Sequence, residues 1–111
     1  MDEARMMMWV RACAAAEVDE DDVIAVVIDG KSYAIYRSDD EQFYASDGDC
    51  THGRGRLCDG LVMDGVIECP KHNGRFDYRT GKALGAPVIE DLRTYRTRVE
   101  GGDVYIQLDG Q

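Results

Sequence analysis

Apolar positions along the chain fall into short blocks of valine, isoleucine and tyrosine, interrupted at close intervals by Asp-Gly or Gly-Gly pairs. "VIAVVID", then Asp29-Gly30, then "KSYAIYR" reads as a β-hairpin. Asp-Gly supplies the two positive φ angles of a tight turn, and β-branched and aromatic residues favour the flanking strands. "EGGD" at 100–103 separates "LRTYRTRV" from "VYIQL" in the same way, and further Asp-Gly pairs stand at 47–48, 59–60 and 64–65. This rhythm predicts an all-β chain, a small antiparallel sandwich or barrel, rather than a parallel sheet with crossover helices. Only "RACAAAEVDEDD" hints at helix, and its clustered acids weaken the hint. Trp9, Tyr33, Tyr36, Phe43, Tyr44, Tyr95 and Tyr105 fall in the expected strands and read as core or strand-face residues.

Length narrows the picture to one domain, because a chain of 111 residues buries one modest core and has no room for a second cofactor domain. With 44% apolar and 32% charged residues it should fold rather than stay disordered. "MDEARMMMWV" lacks the basic start and long apolar run of a secretory signal, and no stretch has transmembrane length, so a cytoplasmic protein without a membrane partner is expected. In that reducing compartment the four cysteines read as thiols or metal ligands rather than disulfides.

The net charge of −9 is unevenly placed: residues 1–50 carry thirteen acids and four bases, whereas residues 51–111 carry nine of each. An acidic chain lacks the basic footprint that a nucleic acid demands. The run from Glu17 to Asp22 reads as a solvated loop. Arg54, Arg56, Lys71 and Arg75 nonetheless make one region locally basic.

That region, "CTHGRGRLCDGLVMDGVIECPKHNG" at 50–74, holds both histidines and three of the four cysteines. Cys50-x-His52 is followed, after sixteen residues, by Cys69-x-x-His72. Sulfur and nitrogen donors together select zinc or an iron-sulfur cluster over hard, oxygen-loving ions. Zinc sites more often pair like ligands close together, whereas here cysteine and histidine alternate. Alternation suits a 2Fe-2S centre in which two histidines replace two cysteines on one iron, since each loop must then reach both metals.

At these residues the chain resembles a known family. "CTHG" and "CPKHNGRFD" resemble the two boxes of Rieske proteins, and "RTGKALGAPV" is similar to the soluble Rieske ferredoxins of bacterial aromatic-ring-hydroxylating dioxygenases, the naphthalene-type systems in particular. The resemblance is good over about 43–97. It implies a Rieske fold, an antiparallel β-sandwich base with a small cluster-binding subdomain over about 47–87, in one domain spanning 1–111. It implies one Rieske-type 2Fe-2S cluster, with Cys50 and Cys69 on one iron and His52 and His72 on the other. Gly53, Gly55 and Gly74 would let backbone approach the sulfurs. Pro87 lies where the family has a loop covering the cluster, and reads equally well as a plain turn proline. Cys13 reads as a small buried hydrophobe and Cys58 as an inert loop cysteine, neither of them a ligand.

Departures from the respiratory Rieske proteins bear on potential. Those relatives carry an extra cysteine in each box, joined as a disulfide, where this chain has Gly55 and Lys71; they also set a serine and a tyrosine hydroxyl against the cluster, where this chain has Gly74 and Phe76. Fewer donors to sulfur stabilise the reduced state less, so a potential of about −150 mV is expected. The resemblance implies a non-enzymatic one-electron carrier, a monomer. It would pass electrons from a flavin-containing ferredoxin reductase to a terminal Rieske non-haem iron oxygenase. The alternatives are the Rieske-like small subunit of a nitrite reductase, a domain cut from an oxygenase large subunit and, from another class, a zinc-binding interaction module.

Overall fold

The computed structural model describes residues 7–51, 55–70, 74–85 and 90–109. Its strands, in chain order, are β1 (Met7–Ala14), β2 (Asp22–Ile28), β3 (Lys31–Arg37), β4 (Phe43–Asp47), β5 (Leu61–Met63), β6 (Val66–Glu68), β7 (Arg75–Asp77), β8 (Thr94–Tyr95), β9 (Thr97–Glu100) and β10 (Asp103–Asp109). They form three antiparallel sheets, β1-β10-β9, β2-β3-β4-β8 and β5-β6-β7.

Three two-residue turns set the registers. Asp29 and Gly30 (φ 51° and 81°), Asp64 and Gly65 (52° and 81°), and Gly101 and Gly102 (61° and 83°) all adopt left-handed pairs. These pair Ile28 with Lys31, Met63 with Val66, and Glu100 with Asp103, as right-twisted hairpins require. The Asp-Gly pairs at 47–48 and 59–60 are different. Neither glycine has a positive φ, and both stand at close backbone approaches: a Cβ on Gly48 would collide with Ser32, and one on Gly60 would fall on the Glu68 carbonyl.

The four-stranded sheet is the middle layer. Tyr33, Ile35 and Ala45 face the β1-β10-β9 sheet and share a core with Cys13, Val18, Val104 and Ile106. Ala34 and Tyr36, one residue out of step, face the small sheet and share a second core with Leu57, Ile67, Phe76 and Tyr78. Side chains alternate across a strand, so a strand buried on both faces reads as an unbroken apolar run. "YAIY" in β3 does this: all four residues are buried.

Two expectations are corrected. "LRTYRTRV" is not one strand, because the chain changes sheets at Arg96: Tyr95 pairs with Ala45 of β4, while Thr97 pairs with Ile106 of β10. The Thr97 hydroxyl, donating to the Phe43 carbonyl at 2.7 Å, pins the corner. The helical hint at 11–22 reduces to a single 3-10 turn, Ala15–Glu17. Pairing with β10 takes the backbone of β1 as far as Ala14, and Asp21, at φ 57°, has left the helical region before β2 begins.

No helix among the described residues is long and apolar enough to cross a membrane. Cys13, at 2% exposure in β1, is the buried small residue expected, and burial pushes its thiol pKa up.

Candidate metal centre

The two cysteine boxes fold as matched hairpin tips. In the first, Asp49 and Arg56 form a β-bridge, and the Cys50 N–H donates to the Gly55 carbonyl at 2.9 Å. In the second, Glu68 and Arg75 are the last pair of β6 and β7, and the Cys69 N–H donates to the Gly74 carbonyl at 2.6 Å. Each tip closes from cysteine i to glycine i+5, so Gly55 and Gly74, both buried, hold corresponding positions. His52, Gly53, Lys71, His72 and Pro87 lie outside the described residues.

Both cysteines point into one core. Cys50 is 5% and Cys69 1% exposed, and both pack with Leu57, Ile67, Phe76, Tyr78 and Leu92. No disulfide joins any of the four cysteines. Among the described residues no three Cys, His, Asp or Glu side chains form a metal-holding group, so two sulfurs are the donors in view.

Those sulfurs fit a Rieske cluster. Two ferric irons, two sulfides and two thiolates sum to zero charge, and a neutral group can sit against an apolar wall where an ion would pay heavily for lost solvation. Phe76, fully buried, brings no hydroxyl to that wall. Among the described residues the one buried orphan hydroxyl of this core is that of Tyr78, whose pKa burial pushes up to about 12. The Tyr78 ring stacks on Tyr36 (centroids 4.6 Å, interplanar angle 3°) and meets the edge of Tyr44 at 5.6 Å, which ties the cysteine core to the middle sheet.

The first tip is held by contacts that neighbouring residues do not foretell. Gly48 N–H donates to the Ser32 carbonyl at 3.0 Å, and Leu57 N–H donates back to Gly48 at 2.9 Å. The Thr51 hydroxyl donates to the Glu90 carbonyl at 2.7 Å. Gly60 brings the chain after the first tip against Glu68, immediately before Cys69. The "RTGKAL" stretch adds an edge to the small sheet: Ala83 bridges Phe76, and Leu84 N–H donates to the Arg75 carbonyl at 2.9 Å.

Cys58 lies apart on a 3-10 turn, Leu57–Asp59, half-exposed and outside the cysteine core. Arg56 Nη2 donates to its Sγ at 3.3 Å, a contact the i, i+2 spacing did not suggest. Of the residues read as making the region basic, Arg56 and Arg75 are exposed beside the two tips, and Arg54 and Lys71 lie outside the described residues. Leu57, Gly60 and Tyr78 were missed from the sequence, although a leucine between the two boxes was a usable apolar signal for the first of them.

Comparison with known proteins shows the family of the chain. A family model described as the Rieske [2Fe-2S] domain matches residues 8–96. The ferredoxin component of a naphthalene 1,2-dioxygenase system from Pseudomonas aeruginosa is 46% identical over 90% of this chain and 95% of that protein. An anthranilate 1,2-dioxygenase ferredoxin subunit from Burkholderia cepacia is 40% identical over 97% and 99%. Among solved structures, a chain from the complex of reduced oxygenase and oxidized ferredoxin in carbazole 1,9a-dioxygenase superposes with a TM-score of 0.82 at 34% identity, covering 93% of this chain and 94% of that one.

Proposed function

The chain belongs to the Rieske 2Fe-2S domain family, and from that premise we propose that Cys50 and Cys69 hold one iron of its cluster and His52 and His72 the other. The observation that carries the assignment is the matched closure of the two tips, Cys50 to Gly55 and Cys69 to Gly74, each presenting a buried cysteine to one core. The protein is a one-electron carrier, the ferredoxin component of a ring-hydroxylating dioxygenase system, and an electron-transfer component rather than a catalytic enzyme. The two curated relatives above, 46% and 40% identical, are ferredoxin components, which favours this reading over a nitrite reductase subunit.

When bound, the cluster supplies a centre that takes up and releases one electron. The chain's own residues position and insulate it. Leu57, Ile67 and Phe76 keep water from the sulfur side, and the Cys50 and Cys69 amides fix the tips. Gly74 and Phe76, which lack hydroxyls, support a potential near the low end of the Rieske range, about −150 mV.

The further reading is of a monomeric, cytoplasmic, single-domain carrier with its cluster-binding subdomain over about 47–87. It takes electrons from a flavin-containing ferredoxin reductase and delivers them to a terminal Rieske non-haem iron oxygenase. Anaerobically purified protein tests it. A red-brown protein whose dithionite-reduced form gives the low-average-g Rieske EPR signal, and which supports turnover by a terminal oxygenase, is expected. A colourless protein holding one zinc ion overturns the reading.

A further inference from the structure

A small sheet with one face packed and one face in water should alternate apolar inward with polar outward. The β5-β6-β7 sheet does not. Its inward residues, Val62, Ile67 and Phe76, pack in the cysteine core. Its outward positions include Leu61 at 56% exposure, Met63 at 57% and the half-buried Val66. Leu84, at 47%, is added beside them by its backbone bond to Arg75. These side chains surround a shallow concavity of about 390 Å³. A second concavity of about 290 Å³ shares Leu61 and Glu68 with the first and reaches Cys69 and Pro70. The concave surface is therefore continuous with the second cysteine tip.

We propose that this outward face, Leu61, Met63, Val66 and Leu84, is where the terminal oxygenase docks, which rests on the carrier reading above. A contiguous exposed apolar patch marks an interaction site, whereas scattered apolar residues need no explanation. Val27 at 70% and Val99 at 50% exposure, on β2 and β9, are of the scattered kind. Charge identifies the partner's chemistry. Asp59, Asp64 and Glu68 edge the two concavities, and among the described residues Arg75 is the one cation lining them. The complementary surface is an apolar patch with a basic rim. A related ferredoxin forms a complex with its oxygenase, which makes the oxygenase the occupant proposed for this face. Docking here brings the partner against the side of the tip that carries Cys69, a short path for an electron.

The test measures turnover of the Pseudomonas aeruginosa naphthalene 1,2-dioxygenase terminal oxygenase against the concentration of reduced holo-ferredoxin. With Leu61→Ser, Met63→Ser and Leu84→Ser combined, KM for the ferredoxin should rise about tenfold or more while kcat, the EPR signal and the midpoint potential stay unchanged. Val27→Ser with Val99→Ser, matched in exposure, should change KM less than about twofold. Added salt should raise the wild-type KM. Should the triple variant lose its EPR signal, Met63→Lys alone, a single exposed position, serves in its place. A patch variant with the KM of the control overturns the docking proposal and leaves the carrier reading standing. So does a KM effect confined to reduction by the reductase, which reassigns the face. A wild-type protein that shows the Rieske signal but supports no oxygenase turnover overturns the carrier reading, and the docking proposal falls with it.

Discussion

The two cysteine tips close alike but are supported differently, and the difference separates what binds the cluster from what holds the binding site in place. The second tip caps a regular hairpin, with three registered pairs of β6 and β7 leading up to the Cys69–Gly74 bond. The first tip has no ladder of strands beneath it among the described residues, only the isolated Asp49–Arg56 bridge and the bond from the Leu57 N–H to the Gly48 carbonyl. It depends instead on distant parts of the chain, Ser32 through Gly48 and Glu90 through Thr51. A local ladder supports one half of the site and tertiary contacts the other. Loosening of those tertiary contacts should therefore release the first tip before the second.

Removal of either sulfur breaks the likeness most severely. Cys50→Ser and Cys69→Ser should each abolish the visible absorption and the reduced EPR signal, to the same extent, if the tips are equivalent as ligands. A cluster that survives one change and not the other would show that the matched closure does not mean matched roles.

Next in size is the seam between the tips. Gly60→Val sets a side chain on the Glu68 carbonyl, and backbone cannot yield as a flexible side chain would, so it should cost roughly 2–3 kcal/mol in urea unfolding and speed cluster loss. Gly30→Ala, at φ 81° with nothing near its Cβ, pays only for backbone strain, about 1 kcal/mol, and should leave the cluster intact. Equal losses would place the seam no higher in importance than an ordinary turn.

Alkali probes the cores behind the two regions. Tyr78, behind the tips, and Tyr95, in the base, are both pushed up to about 12, each chiefly by burial, with Tyr95 raised further by donating to Asp47. A tyrosine whose pKa is raised in the folded state holds its proton longer there than in the unfolded chain. Its stabilisation is thus complete below about pH 10 and is lost as pH climbs towards 12. Urea midpoints followed through that window should fall. Tyr78→Phe should flatten part of the fall and, because it removes a buried hydroxyl without a partner among the described residues, should leave neutral-pH stability unchanged or raised by up to about 1 kcal/mol. A clear destabilisation at neutral pH would mean that the hydroxyl has a partner in solution.

The smallest effect expected is at Thr51. Thr51→Val removes one partly exposed bond to Glu90, about 0.5–1 kcal/mol, and should quicken cluster release without shifting the potential. The second tip has Pro70 at the matching place, with no hydroxyl to lose. An unaltered release rate would show that the bridge and Gly48 suffice to hold the first tip.

Read one residue at a time, the chain already specified the four metal-ligand candidates, the missing hydroxyls at Gly74 and Phe76, and the turns at Asp29-Gly30 and Gly101-Gly102. Ligand chemistry and left-handed φ are properties of a few adjacent residues, so spacing and residue type carry them. The same reasoning made Asp47-Gly48 and Asp59-Gly60 look like further turns, because an Asp-Gly pair does not say whether its glycine serves a dihedral angle or a close contact. Folding settled that by bringing Ser32 and Glu68 against them. It also split 92–99 between two sheets, stacked Tyr78 on Tyr36 and turned Leu61, Met63 and Leu84 outward beside Cys69. Each of these depends on which surface of one strand meets which part of a distant one, and an apolar residue in a three-residue strand looks the same whether it faces a core or a partner.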